Sequence, residues 1–244
     1  MTLKRSEVQS FYRAPMKIEV IYETPDFAAI NKPAGLLVHP VKNSSEPALT
    51  DWLLKKYPEI KKVGDEPQIR PGIVHRLDKD TSGVILICRN QIFFNYAKKL
   101  FQEHKIKKKY LALAYGEIKP KSSVIEKPIM IKSGSVKRTI HKGKDEKVAI
   151  TEYKVLKYLK NFSLVEASPR TGRTHQIRVH LASIGHPIIG DSLYGPKDNP
   201  LGLKRQFLHA ESLEFSSKNG ERIKIEAELP DDLKNVIKQL NEEK

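Results

Sequence analysis

The sequence predicts an α+β fold: a single domain on a large, mainly antiparallel mixed sheet, with a cleft across its middle. Two patterns carry that prediction. Segments with an apolar residue at every second position recur along the whole chain, the period of half-buried strands. Only four segments, near residues 49–57, 93–101, 174–185 and 231–240, repeat apolar residues at helical spacing. At 244 residues the chain is long enough for one large core or two modest lobes.

The first sixteen residues show no period and are expected to form a mobile arm, with the domain running over residues 17–244. Ile18, Val20 and Tyr22 alternate with Lys17, Glu19 and Ile21 as an edge strand. Phe27–Asn31 is a second strand after a Pro25-Asp26 turn. Lys32-Pro33-Ala34-Gly35 interrupts it, and Leu36–Pro40 resumes it. From its residues alone this pair is a hairpin with one surface lysine, Lys32. Leu49, Trp52, Leu53 and Tyr57 share a helix face, with Trp52 assigned to the core and Pro58 as the stop. Residues 58–72 form a charged connecting loop, and Val84–Cys88 is a buried strand. Phe93, Ala97 and Leu100 mark a second helix. Tyr110–Gly116 alternates as a strand behind the basic run Lys105–Lys109.

Residues 119–148 are rich in Lys, Gly and Ser and offer the best internal lobe boundary. Within them Val124–Ile131 is strand-like, and Lys132–Lys147 reads as a flexible hairpin whose lysines contact phosphates. Ala149–Leu156 and Phe162–Ala167 alternate as antiparallel strands. Thr171 or Thr174 caps the third helix, Ile177, Leu181 and Ile184 form its apolar seam, and Gly185 ends it. Ile223, Ile225, Ala227 and Leu229 mark the last strand. Pro230-Asp231 opens a helix with Leu233, Val236, Ile237 and Leu240 on one side.

Lys and Arg exceed Asp and Glu by 44 − 29 = +15, a balance that implies an anionic partner. No window approaches the ~20 apolar residues of a membrane span, and no segment pairs a basic face with a lipid-facing aromatic one. Nucleic acid is therefore the expected partner. The N-terminus lacks the apolar core of a secretion signal, and Cys88 is the single cysteine, which together point to a cytoplasmic protein without disulfides or thiolate metal clusters. His175 and His180, five apart on a helix, point about 140° apart. With His186 they make no metal site, and none is expected.

The densest chemistry lies in His75-Arg76-Leu77-Asp78-Lys79-Asp80-Thr81-Ser82-Gly83, immediately before the Val84–Cys88 strand. Four formal charges, a histidine and two hydroxyls beside a core strand must be paired or hydrogen-bonded, which makes the stretch a candidate site. It resembles the His-Arg-Leu-Asp-x-x-Thr-Ser-Gly signature of the RluA-type family of RNA pseudouridine synthases. Three further segments match that family in order: Asn31–Pro40, Lys108-Lys109-Tyr110-x-Ala112-x-x-x-Gly116, and Thr171–Leu181 continuing to Gly195. The resemblance runs from about Lys17 to Pro230.

That resemblance implies a pseudouridine-synthase-like catalytic domain and an isomerase that turns specific uridines of ribosomal or transfer RNA into pseudouridine. Asp78 would be the nucleophile, Arg173 the matched cation that pairs with it, and Tyr110 the aromatic face and hydroxyl for the base. Arg76 would either fill the stack vacated by a flipped uridine or contact phosphate. His75, Lys32 and Lys109 would complete the RNA-facing set. An isomerisation implies no cofactor and no metal, and a monomer is expected. Many relatives carry an N-terminal RNA-binding domain, for which too few residues precede Lys17. The alternative is a non-catalytic RNA-binding or ribosome-assembly factor on the same fold. Asp78, Tyr110 and Arg173 weigh against it, because a pure binder has no use for a buried carboxylate facing an anionic ligand. A glycoside hydrolase would need a second carboxylate that the sequence does not convincingly supply.

Overall fold

The structure, a computed structural model, describes residues 18–41, 45–135 and 137–242. The expected N-terminal arm lies outside the described residues. A nine-stranded sheet forms the body. Its strands are β1 (Glu19–Glu23), β2 (Phe27–Lys32), β3 (Ser82–Cys88), β4 (Lys107–Tyr115), β5 (Ser122–Glu126), β9 (Ile150–Leu159), β10 (Phe162–Pro169), β11 (Leu208–Ser216) and β12 (Arg222–Glu226). Their order is β1-β2-β3-β11-β4-β10-β9-β5, with β12 also paired to β11. Every pairing is antiparallel except β3 with β11. The expected mainly antiparallel sheet is thus observed, with β1 on its edge.

The apolar run before Arg89 forms β3, buried at all seven positions. Each Ile or Leu there stabilises the fold by roughly 1.5–3 kcal/mol. β3 and β11 share only the pairs Ser82↔His209 and Gly83↔Ala210. A Cβ on Gly83 would stand 2.1 Å from the Ala210 carbonyl oxygen, and Gly83 has φ +113°, so only glycine lets these strands meet. Beyond Ala210, strand β11 takes β12 as its neighbour from Ser212 to Ser216.

Among the described residues four α-helices pack around the sheet: α1 (Leu49–Lys56), α2 (Gln91–Gln102), α3 (Gln176–Ser183) and α4 (Asp231–Glu242). Asn90 caps α2 by accepting from the Phe93 N–H. Two large apolar clusters make up most of the core. One gathers β1–β3, α1, α2 and the paired parts of β11 and β12; the other gathers β4, β5, β9, β10, α3 and α4. The division therefore does not fall at 119–148: β11 and β12 return late in the chain to complete the first cluster. Tyr110 packs against both.

Four local expectations change. Residues 58–72 are not all loop: Pro58–Lys62 forms a 3-10 helix with Ile60 fully buried. Leu36–Pro40 is no strand; it makes a single parallel bridge, Leu37↔Ala48, and its Leu37 and Val38 carbonyls accept from the Leu49 and Thr50 N–H groups at the start of α1, while the Leu36 carbonyl accepts from Lys32 Nζ. Neither threonine caps α3. Its N-cap is His175 in the left-handed region at φ 58°. The helix is also buried at all six positions from Gln176 to Leu181, far more than one seam. Residues 129–147 add strands to their hairpin, with β6 (Ile129–Ile131) central between β7 (Arg138–Thr139) and β8 (Lys144–Lys147) in a small separate sheet. Its apolar side, Ile129 and Ile140, packs with Ala149, Val179 of α3 and Tyr194. Among the described residues no helix is long and apolar enough to cross a membrane.

Candidate active site

A cavity of about 600 Å³ opens over the middle of the sheet. Its walls are the 73–81 stretch before β3, the start of β4, and the segment from Pro169 into α3. Arg70, Arg76, Lys108, Arg173 and Arg178 contribute cations, and Asp78 is the single carboxylate among the lining residues. A field of this sign draws in a phosphodiester chain.

The tight stretch around Asp78 is held from both sides. The Asp78 carbonyl accepts from the Thr81 N–H at 3.1 Å, and the Lys79 carbonyl accepts from the Gly35 N–H at 2.9 Å. On the other side Arg205 donates to the Asp80 carbonyl (3.2 Å), Gln206 donates to Thr81 Oγ1 (3.2 Å), and Ser82 Oγ pairs with His209 Nδ1 (2.9 Å). The hydroxyls and glycine of the motif therefore serve the anchoring of the turn that presents Asp78.

Asp78 pairs with Arg178. Arg178 Nη1 donates to Asp78 Oδ2 at 3.1 Å. The same guanidinium gives Nε and Nη2 to Asp191 Oδ2 and Oδ1 at 2.7 and 2.8 Å. Asp191 is fully buried and also accepts from the Leu193 and Tyr194 N–H groups. Burial alone would lower the Arg178 pKa, but hydrogen bonds and charge from Asp191, with the charge and bond of Asp78, hold it above the usual arginine value. The fork is spent on Asp191 and one donor goes to Asp78, so Asp78 Oδ1 accepts no hydrogen bond from the described residues. That oxygen is left for a ligand.

Tyr110 stands on β4 opposite Ala210 on one side and Ala167 on the other. Cross-strand partners share a face, so two small neighbours leave its ring clear over the cavity. Burial, then the charge of Asp78, push its phenol pKa up, which keeps the hydroxyl a proton donor at neutral pH. Arg76 is exposed at the cavity wall and makes no hydrogen bond or ion pair among the described residues.

Four residues of the expected site stand elsewhere in the chemistry. Arg173 does not pair with Asp78; its Nε donates to the Val148 carbonyl at 3.0 Å, because it precedes α3 and lies on the exposed rim. Lys32 is no surface lysine. It is fully buried, and its Nζ donates to the carbonyls of Pro33 (2.8 Å), Leu36 and Lys79 (both 2.9 Å), which removes it from any phosphate. His75 Nε2 accepts from the Leu86 N–H at 2.8 Å while its ring stacks on Phe101. Burial and Lys108 push its pKa down to about 3, so it is neutral and ties the motif to β3. Lys109 is half-exposed and bridges to Glu166 at 2.7 Å. Its neighbour Lys108 is the one that enters the cavity, donating to the Thr171 carbonyl at 3.2 Å, with its pKa lowered to about 8 by burial.

Arg178 and Asp191 were missed as functional residues, although both lie in the matched Thr171–Gly195 stretch. Helix position gave only a weak signal for Arg178: at about 100° per residue it stands about 60° from Leu181 and about 100° from Ile177, at the edge of the apolar seam. For Asp191 the sequence carries no such signal. Among the described residues no group of three or more His, Cys, Asp or Glu is placed to hold a metal ion.

Comparison with known proteins identifies the family. A family model described as RNA pseudouridylate synthase matches residues 26–183. The chain is 34% identical over 241 residues to the uncharacterized RNA pseudouridine synthase YlyB of Bacillus subtilis (strain 168), covering 98% of this chain and 78% of that protein. It is 37% identical over 239 residues to ribosomal large subunit pseudouridine synthase D of Nitrosomonas europaea, covering 92% of this chain and 66% of that protein. Among solved structures, human RNA pseudouridylate synthase domain containing 4 superimposes with a TM-score of 0.72 at 25% identity, over 91% of this chain and 92% of that one.

Proposed function

This chain belongs to the RluA-type family of RNA pseudouridine synthases and is an isomerase; we propose that it modifies uridine in ribosomal RNA of the large subunit, with Asp78 as nucleophile. The observation that carries the reading is the lone carboxylate of a basic cavity, held through Oδ2 by Arg178 with Oδ1 unspent. The isomerisation breaks the bond from ribose C1′ to uracil N1 and makes one from C1′ to C5. C5 loses a proton and N1 gains one, so the product has the atoms of the substrate. Asp78 Oδ1 engages the nucleotide, and Arg178 balances its charge throughout. The Tyr110 ring gives the base a face to stack on, and its hydroxyl serves proton transfer.

A stacked uridine must be flipped to reach Asp78, at a cost that a side chain filling the gap offsets. Arg76 is suited to that role by its position two residues before Asp78 and its lack of a hydrogen-bond or ion-pair partner among the described residues. Lys132, Lys142 and Lys144, exposed around the small β6–β8 sheet, extend the basic surface along the RNA backbone. The choice of ribosomal RNA rests on the name of the Nitrosomonas europaea relative, and a ribosomal substrate favours the cytoplasm, where ribosomes are assembled, as the site of action.

Two measurements test the reading. Asp78→Asn should bind RNA as the parent does and form no pseudouridine; conversion at the parental rate would refute the nucleophile. Deleting the gene and mapping pseudouridines across cellular RNA should show loss of one or a few large-subunit sites. Loss confined to transfer RNA would overturn the target, and loss of none, with protein inactive on RNA from the deletion strain, would restore the binding-factor alternative.

A further inference from the structure

Behind Asp78 lies a contact chain that the reaction so far does not use. His175 Nδ1 is 2.9 Å from the Tyr194 hydroxyl, and the same hydroxyl accepts from the Arg138 backbone N–H of β7 at 2.7 Å. On its other side His175 turns Nε2 toward Asp78 Oδ1, the unspent oxygen, at 4.0 Å. The Arg178 guanidinium lies over the Tyr194 ring at 5.3 Å from its centroid. His175 holds this place at φ 58°, a left-handed conformation that a residue other than glycine adopts at a cost. Strain kept at the lip of a site is a sign of use.

We propose that Tyr194 is a positioning residue: its hydroxyl donates to His175 Nδ1, sets the Nε2–H tautomer, and so aims an N–H at the reacting oxygen of Asp78. The hydrogen-bond inventory leads there. The Tyr194 oxygen takes the Arg138 N–H in one lone pair, and its own proton has His175 Nδ1 as the acceptor in reach. A neutral imidazole with Nδ1 as acceptor must carry its proton on Nε2. Both pKa directions agree. Burial lowers His175, against the charge of Asp78, and raises Tyr194, so the phenol keeps its proton and the imidazole stays neutral. At 4.0 Å the Nε2–H is longer than a hydrogen bond, and it closes on Asp78 when the nucleotide excludes water from the cavity.

The link also ties the small basic sheet to the carboxylate. Because β7 supplies the Arg138 N–H, the seat of that sheet on α3 and Tyr194 decides where the hydroxyl points. The inference rests on the reading of Asp78 as nucleophile, but its first test does not involve turnover.

The imidazole nitrogen shifts of His175 in the 15N-labelled wild-type protein report its tautomer directly. Nε2–H is expected near neutral pH; an Nδ1–H tautomer or a protonated ring would overturn the proposal, whatever Asp78 does. Tyr194→Phe keeps the ring over Arg178 and removes only the hydroxyl. It should mix the two His175 tautomers and lower kcat about tenfold, the worth of roughly one orienting hydrogen bond, with KM for RNA unchanged. A variant with parental kcat, or one that loses only RNA affinity, would also overturn it. If the variant failed to fold, the wild-type tautomer would still decide.

Discussion

Arg178 and Asp78 are 100 residues apart in the chain and 3.1 Å apart in the fold. Asp191 makes that meeting possible by taking the other side of the guanidinium at 2.7 and 2.8 Å. A buried arginine between two carboxylates is oriented before any substrate arrives, and it needs no reorganisation as charge moves on Asp78. Removing it would strand Asp191, which has no exposure to water.

Arg178→Lys should therefore lower turnover by about a hundredfold or more, because an ammonium cannot reproduce the fork. Urea unfolding should show a loss of about 3 kcal/mol. Arg173→Lys, on the rim with Val148 as its partner, should change RNA affinity and leave turnover near the parental value. Steady-state kinetics on both variants settle it; a large fall in kcat for the Arg173 variant and none for the Arg178 variant would reverse the assignment.

Lys32 offers a pH signature. Burial pulls its pKa from 10.5 to about 7, against the attraction of Asp80. Three carbonyl acceptors match the three N–H bonds of an ammonium, so burial and hydrogen bonding oppose each other there. Between about 7 and 10.5 the unfolded chain holds a proton on this lysine that the folded chain has released. Stability from this group accordingly rises with pH across that window and is flat below it. Denaturation of Lys32→Met across the same range should lack this rise relative to wild type; parallel curves would mean that the folded lysine keeps its proton.

Gly83→Ala should be severely destabilising, by about 3 kcal/mol or more, since the new Cβ meets the Ala210 carbonyl at 2.1 Å and φ is +113°. The carbonyl belongs to a paired strand and has no room to retreat. A midpoint within experimental error of wild type would show that β3 and β11 separate without cost.

The salt dependence of RNA binding should report the small sheet. Lys105, Lys107 and Lys109 already bridge to Glu103, Glu214 and Glu166. Lys142 and Lys144 have no such partner among the described residues. Lys142→Ala or Lys144→Ala should each lower the slope of log K against log salt by about 0.7–0.9. An unchanged slope for both would remove this surface from the RNA path.

Residue pattern alone was enough for elements whose burial is written along their own length. The continuous apolar run Val84–Cys88, the alternation on both sides of residues 160–161, and the stripe of Leu233, Val236 and Leu240 each read correctly, because local burial leaves a local pattern. Motif order likewise led to Asp78 and Tyr110, both of which line the cavity. Lys32 was misread because a lysine looks the same in sequence whether its ammonium meets water or three carbonyls. The choice between Arg173 and Arg178 was likewise beyond the motif, which contains both. What separates them is that α3 starts after Arg173, and that Asp191, thirteen residues past Arg178, folds back to hold it. Pairing of buried charges depends on distances set by elements far apart in the chain, so only the tertiary structure decides it.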